Sequence, residues 1–251
     1  ASAPAFAQGL KLTREALASA IDPQGRHLLR IKEQQFQDAI NAAMGAQLTA
    51  ITNPPLMGAL VPGQTFGVDA RLEIRGGVIE KQQVTLLGSP GFRVTGSSPF
   101  QVTVAGDAPL STKPYFYRNG LQESRYSLRD ASQFGRPVTP APLTASASYF
   151  VGGVPVEIKV PVVRRESKAP YGDTVRTVRT VPRIAVTVSP SNVIVSLAGG
   201  SSAFAQGASA DKKDPLRTIS LEVTVLHNAD SPSTGQVVLH LPDGWRAKPA
   251  S

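Results

Sequence analysis

Three histidines, His27, His227 and His240, are the residues of this chain best suited to acid–base chemistry or zinc ligation. His227 and His240 read as lying on two strands of one hairpin, where they could face each other with Asp230 and Asp243 near the turns. A catalytic zinc needs three protein ligands and an enclosed open position, and a hairpin surface supplies neither. His27 falls in the first turns of a helix, where it is expected to be exposed. The chain has no cysteine, which excludes disulfides, thiolate zinc sites and cysteine nucleophiles together. Serines are plentiful, but no Gly-x-Ser-x-Gly elbow occurs. Phosphate-binding Gly-x-Gly-x-x-Gly and Walker loops are missing too, so nucleotide chemistry is not expected. The residues thus predict no catalytic group, no metal site and no cofactor within this chain.

A different chemistry is suggested by Lys113-Pro114-Tyr115-Phe116-Tyr117-Arg118-Asn119-Gly120, continuing through Glu123 and Arg125 to Tyr126. It holds four of the chain's 14 Tyr and Phe residues, inside a long connection over 108–142 that is poor in strand signal. Aromatic faces beside Arg, Asn and Glu suit a sugar or a docking partner: the ring packs on C–H faces while polar groups satisfy hydroxyls. Three roles stay open for Tyr115, Phe116, Tyr117, Arg118 and Tyr126. They could plug one end of a sandwich, dock on a neighbouring domain, or touch a ligand.

The elements that position these residues follow from composition and pattern. With 251 residues, 41% of them apolar, the chain can bury two cores, and Gly 22 and Pro 21 with 18% charge suit short strands joined by turns. The net charge of +8 and a pI near 10.0 raise nucleic acid as a partner. The basic residues are scattered, however. The densest run, Arg164, Arg165, Lys168, Arg176, Arg179 and Arg183, is interrupted by Glu166, Asp173 and two prolines, which reads as a solvated edge that discourages strand aggregation. No nucleic acid partner and no membrane span are expected.

Residues 1–9 read as a linker, with Thr13 capping a short helix over 14–21. Asp22-Pro23 then opens a longer amphipathic helix to Met44, with Leu29, Phe36, Ile40 and Ala43 as its apolar stripe and Gly45 as its stop. Strands are expected at 65–74, 82–87, 92–94, 100–104, 143–150, 154–163, 175–181, 184–188 and 193–197, with an insertion over 199–214. One pattern occurs twice, across Phe66–Val94 and Ile219–Ala247: an alternating strand, a turn, a second strand and a Gly-aromatic step, Gly91-Phe92 and Gly244-Trp245. It predicts a duplicated hairpin. The expected fold is mainly β, tandem immunoglobulin-like β-sandwich domains preceded by an amphipathic helical segment. The boundaries are 1–60 for the helical linker, 61–165 for the first sandwich and 166–251 for a second, incomplete at its C-terminus.

The order Gln35-Phe36-Gln37-Asp38-Ala39, Pro62-Gly63-Gln64, Lys113-Pro114-Tyr115-Phe116 with Tyr126, Val160-Pro161-Val162, Val188-Ser189-Pro190 and Leu241-Pro242-Asp243-Gly244-Trp245 resembles the region after the catalytic domain in large bacterial PIG-L/LmbE-type deacetylases. The resemblance covers almost the whole chain through scattered positions. The last unit also resembles the NPCBM-associated (alpha-galactosidase-associated) sandwich. In the deacetylase family a Rossmann-like domain with a His-Pro-Asp-Asp run removes N-acetyl groups from sugar amines with zinc. Here His27 is followed by Leu28, His227 by Asn228 and His240 by Leu241, so none of the family's catalytic residues carries over. The resemblance implies a non-catalytic accessory region of a secreted or periplasmic enzyme, its helix docked on the absent catalytic domain that would hold the zinc. A glycan is the implied further partner. Its rivals are an independent carbohydrate-binding or adhesion module and a hydrolase with an unrecognised site at His227 and His240.

Overall fold

The computed structural model describes residues 2–54, 59–77, 79–120, 122–193, 219–241, 243 and 245–248. The chain divides into two compact units, Ala1–Pro182 and Arg183–Ser251. Most of the expected strand at 193–197, the insertion over 199–214, and Pro55, Pro242 and Gly244 lie outside the described residues.

The first unit opens with two helices, α1 (Ala3–Ser19) and α2 (Pro23–Ala43). Residues 3–9 are helix, not the expected linker, because alanine is the best helix former and Pro4 sits in the first turn, where no internal N–H is needed. Thr13 is therefore a mid-helix residue instead of a cap, and its hydroxyl donates to the Gly9 carbonyl at 2.8 Å. Asp22 does cap α2, accepting from Gly25 N at 2.6 Å. Of the expected apolar stripe, Ile40 is fully buried, Leu29 and Phe36 are half-buried and Ala43 is exposed. The helices fit closely: a Cβ on Gly9 would lie 2.5 Å from the Phe36 ring. Gly45, at φ +58, turns the chain directly from α2 into the first strand.

That strand, β1 (Gln47–Asn53), is not among the expected ones, which begin only after Asn53-Pro54-Pro55. Leu48, Ala50 and Thr52 alternate inward along it. It is followed by β2 (Thr65–Glu73), β3 (Glu80–Gly88), β4 (Phe92–Thr95), β5 (Phe100–Val104), β6 (Phe116–Tyr117) and β7 (Ser127–Leu128). Then come β8 (Leu143–Val151), β9 (Val154–Pro161), β10 (Val163–Lys168) and β11 (Gly172–Thr177). A six-stranded sheet runs β11-β10-β1-β2-β5-β4, and a three-stranded sheet runs β3-β8-β9. All pairs are antiparallel except β1 with β10. Phe66, Val68, Ala70, Val102 and Val104 of the larger sheet share one hydrophobic core with Leu86, Leu143, Ala147, Tyr149 and Val156 of the smaller. The unit is a mainly β, sandwich-like body.

Three further expectations change. The single strand expected over 154–163 is two strands in different sheets, because Pro161 cannot donate to a ladder and Val162, fully buried, carries the chain across. The hairpin expected over Phe66–Val94 is not one: β2 pairs with β1 and β5, whereas β3 pairs with β8. The first unit also extends past the expected boundary at 165, since β10 and β11 join its large sheet through β1.

In the second unit β12 (Ile184–Ser189) pairs antiparallel with β13 (Glu222–His227), from Ile184 opposite His227 to Ser189 opposite Glu222. The partner of β13 is thus β12, not the segment that follows it; residues 235–241 form no strand. Among the described residues, no helix is long and apolar enough to cross a membrane.

Candidate functional site

The aromatic segment forms a ribbon of its own. β6 pairs with β7 through Phe116 opposite Leu128 and Tyr117 opposite Ser127, and Arg129 N donates to Tyr115 O at 2.8 Å to extend the pairing. The connecting loop is held by Glu123. Its carboxylate accepts from Asn119 N and from Asn119 Nδ2, both at 3.0 Å. Tyr115 Oη donates to the Arg136 carbonyl at 2.8 Å, which ties the ribbon to the next turn. There Asp130 accepts from Ser132 N at 2.9 Å and Gln133 Nε2 at 3.0 Å, capping a 3-10 turn at Ala131–Gln133. Hydrogen bonds from Ser132 first, then Gln133, hold the Asp130 carboxyl below its ordinary range, so it stays ionised.

On this backbone the rings meet edge to face. Tyr115 and Phe116 have centroids 5.3 Å apart with planes at 90°, and Phe116 and Tyr126 are 5.2 Å apart at 83°. Arg118 lies 4.9 Å from the Tyr126 centroid and Arg129 5.2 Å from that of Tyr117. Three of the rings are open to solvent, Phe116 at 38% exposed, Tyr117 at 37% and Tyr126 at 58%, while Tyr115 is half-buried. They stand outside the hydrophobic core cluster. Of the five expected residues, Tyr115, Phe116, Arg118 and Tyr126 are linked by ring contacts, while Tyr117, beside Phe116 on β6, meets Arg129 instead. Arg129 joins them unpredicted; its signal is its place just past β7, opposite the aromatic strand.

The histidines are dispersed. His27 is exposed on α2. His227 lies opposite Ile184 instead of His240, and its Nε2 is 2.9 Å from Ser233 Oγ. His240 falls in a segment without strand structure, so the facing pair does not form. His227 borders an open groove of about 880 Å³ lined mainly by apolar side chains, among them Ile184, Val186, Val225 and Val237. Among the described residues no three His, Asp or Glu side chains gather as a metal site would require.

A second polar cluster lies between the helices and β9, with Tyr149, Gln37 and Asn41 buried and Arg14 and Glu157 half-buried. Tyr149 Oη donates to Asn41 Oδ1 at 2.7 Å, and Asn41 Nδ2 donates to Glu157 O at 3.0 Å. Glu157 N donates to Gln37 Oε1 at 3.0 Å, and Arg14 Nη1 to Pro155 O at 2.7 Å. β9 is an edge strand, and the outward-facing groups of Glu157 are met by two side-chain amides that take the place of a neighbouring strand's peptide groups. Burial raises the Tyr149 phenol to about 12, so it remains a donor. Burial also pushes the Glu157 carboxyl up, but bonds from Lys159 and Ser146 outweigh it and leave the carboxyl below its ordinary value. Each of these bonds joins the chain to itself, so this cluster is a lock on the fold.

No family model, curated protein or solved structure matches the chain.

Proposed function

We propose that this chain is a non-catalytic β accessory region that presents the ribbon of Tyr115, Phe116, Tyr117, Arg118 and Tyr126 to a glycan. The observation that carries this reading is the exposure of interlocked aromatic rings on a ribbon tied down by its own hydrogen bonds. Exposed rings with fixed geometry bind sugars at little ordering cost. The test is retention on immobilised polysaccharides in affinity electrophoresis. Tyr117→Ala with Tyr126→Ala is expected to weaken retention at least tenfold; unchanged retention contradicts the reading.

In the fuller form, resting on the resemblance to PIG-L/LmbE-type deacetylases, the chain supports an exported catalytic domain that acts on N-acetyl sugars and holds the zinc. The helices are already committed to β9 through Asn41 and Gln37, so in this form the contact with a catalytic domain falls on surfaces other than that face. Purified chain supplied with zinc and N-acetylglucosamine oligomers is expected to release no acetate. Release would favour the hydrolase rival.

A further inference from the structure

We infer that the ribbon's ligand is an acidic polysaccharide whose carboxylates are taken by Arg118, Arg129 and their cationic neighbours while its sugar rings lie on the exposed aromatics. This rests on the glycan reading above and narrows it to a chemical class. The first ground is local charge. Residues 113–136 contain five cations, Lys113, Arg118, Arg125, Arg129 and Arg136, against two carboxylates, Glu123 and Asp130, a net of +3 within a chain whose total is +8.

The second ground is which of these charges are already used. Both carboxylates are turned inward on the ribbon's own loops, Glu123 onto Asn119 and Asp130 onto Ser132 and Gln133. Among the described residues, none of the five cations forms an ion pair. The other basic stretch of the chain is the control: Arg164 and Arg176 pair with Glu166, and Arg165 pairs with Asp173. Arg164, Arg165 and Arg176 of β10 and β11 are thus ion-paired, while among the described residues the ribbon's cations are not, Arg136 acting on Asp130 only at longer range.

The third ground is the form of the guanidinium sites. Arg118 and Arg129 are each laid over a tyrosine, which fixes the plane of the fork; Arg118 Nη1 also donates to the Glu123 carbonyl at 3.4 Å, and the remaining N–H groups are left for a carboxylate. The same stacking argues against a nucleic-acid strand. Successive bases need free, roughly parallel ring faces, whereas these rings meet near right angles and Tyr117 and Tyr126 each carry an arginine on one face.

The test measures binding of the whole chain to three probes: hyaluronan, the same polymer with its carboxyls reduced, and poly(U). Hyaluronan is expected to bind, to lose about tenfold in affinity between ~50 and ~200 mM salt as a few ion contacts are screened, and to lose about tenfold again with Arg118→Ala and Arg129→Ala combined. The doubly substituted chain must keep the wild-type unfolding midpoint. Equal binding of the reduced polymer overturns the acidic class and leaves the glycan reading intact. If neither polysaccharide binds, both readings fall. Tighter binding of poly(U) than of hyaluronan overturns the inference in favour of nucleic acid.

Discussion

Tyrosine, arginine, asparagine and glutamate come together twice in the first unit, with opposite consequences. Between the helices and β9, Tyr149, Asn41 and Glu157 are joined in a chain of hydrogen bonds with Arg14 beside them. On the ribbon, Tyr126, Arg118, Asn119 and Glu123 use similar contacts, but the rings and guanidinium groups face water. Residue types overlap, but Tyr149 and Asn41 are desolvated and their ribbon counterparts are not. A buried polar group must be paired or it costs the fold about 1–3 kcal/mol, whereas an exposed one exchanges its partner for water at little cost. The first cluster is therefore spent on stability and the second is free for recognition.

Substitutions should separate the two. The largest loss is expected for Asn41→Leu, which orphans the Tyr149 hydroxyl and the Glu157 carbonyl and should cost roughly 2–5 kcal/mol in urea unfolding. Gly9→Ala should follow at about 1–3 kcal/mol, since its methyl would overlap the Phe36 ring that seats α1 on α2. A loss below about 0.5 kcal/mol for Asn41→Leu would mean that the helix face is not locked as described.

Acid should act on Glu157 of that cluster through its carboxyl, which is bonded to Lys159 and Ser146. A carboxyl held below its ordinary value contributes stability above that value and loses it as the pH falls through the lowered one. For Glu157 the ordinary value is 4.5, so its contribution is fully present at neutral pH and fades below that point. Unfolding midpoints measured from pH 7 downward should fall less steeply in Glu157→Gln than in the wild type. The smallest effect is expected on the ribbon: a double-mutant cycle between Arg118 and Tyr126 should give about 0.5–1 kcal/mol at most, the worth of an exposed cation–π pair.

The aromatic cluster was more legible in sequence than the sandwich around it, although the two short strands that carry it, β6 and β7, were not expected. Four aromatics close together in a strand-poor connection announce themselves locally, and their main partners, Arg118, Asn119 and Glu123, are near neighbours in the chain. Strand alternation was legible for the same reason, as at Phe100–Val104. Pairing was not. The inward faces of β2 and β3 read alike, but their partners lie at β1, β5 and β8, and nothing local specifies which sheet a strand joins. β1 was hidden because Ala50, Thr49 and Thr52 give a faint apolar signal next to a proline pair. The lock was hidden as well, since Asn41 and Gln37 read as the polar side of a helix until β9 supplies backbone for them to bond.

The central claim is that recognition and stability reside in separate copies of this chemistry, and one sample can test it. Arg118→Ala with Tyr126→Ala should be compared with the wild type for urea midpoint and for retention on hyaluronan in the same preparation. The account predicts a midpoint within about 1 kcal/mol of wild type with retention reduced tenfold or more. A midpoint that collapses with retention, or retention that survives intact, would contradict it.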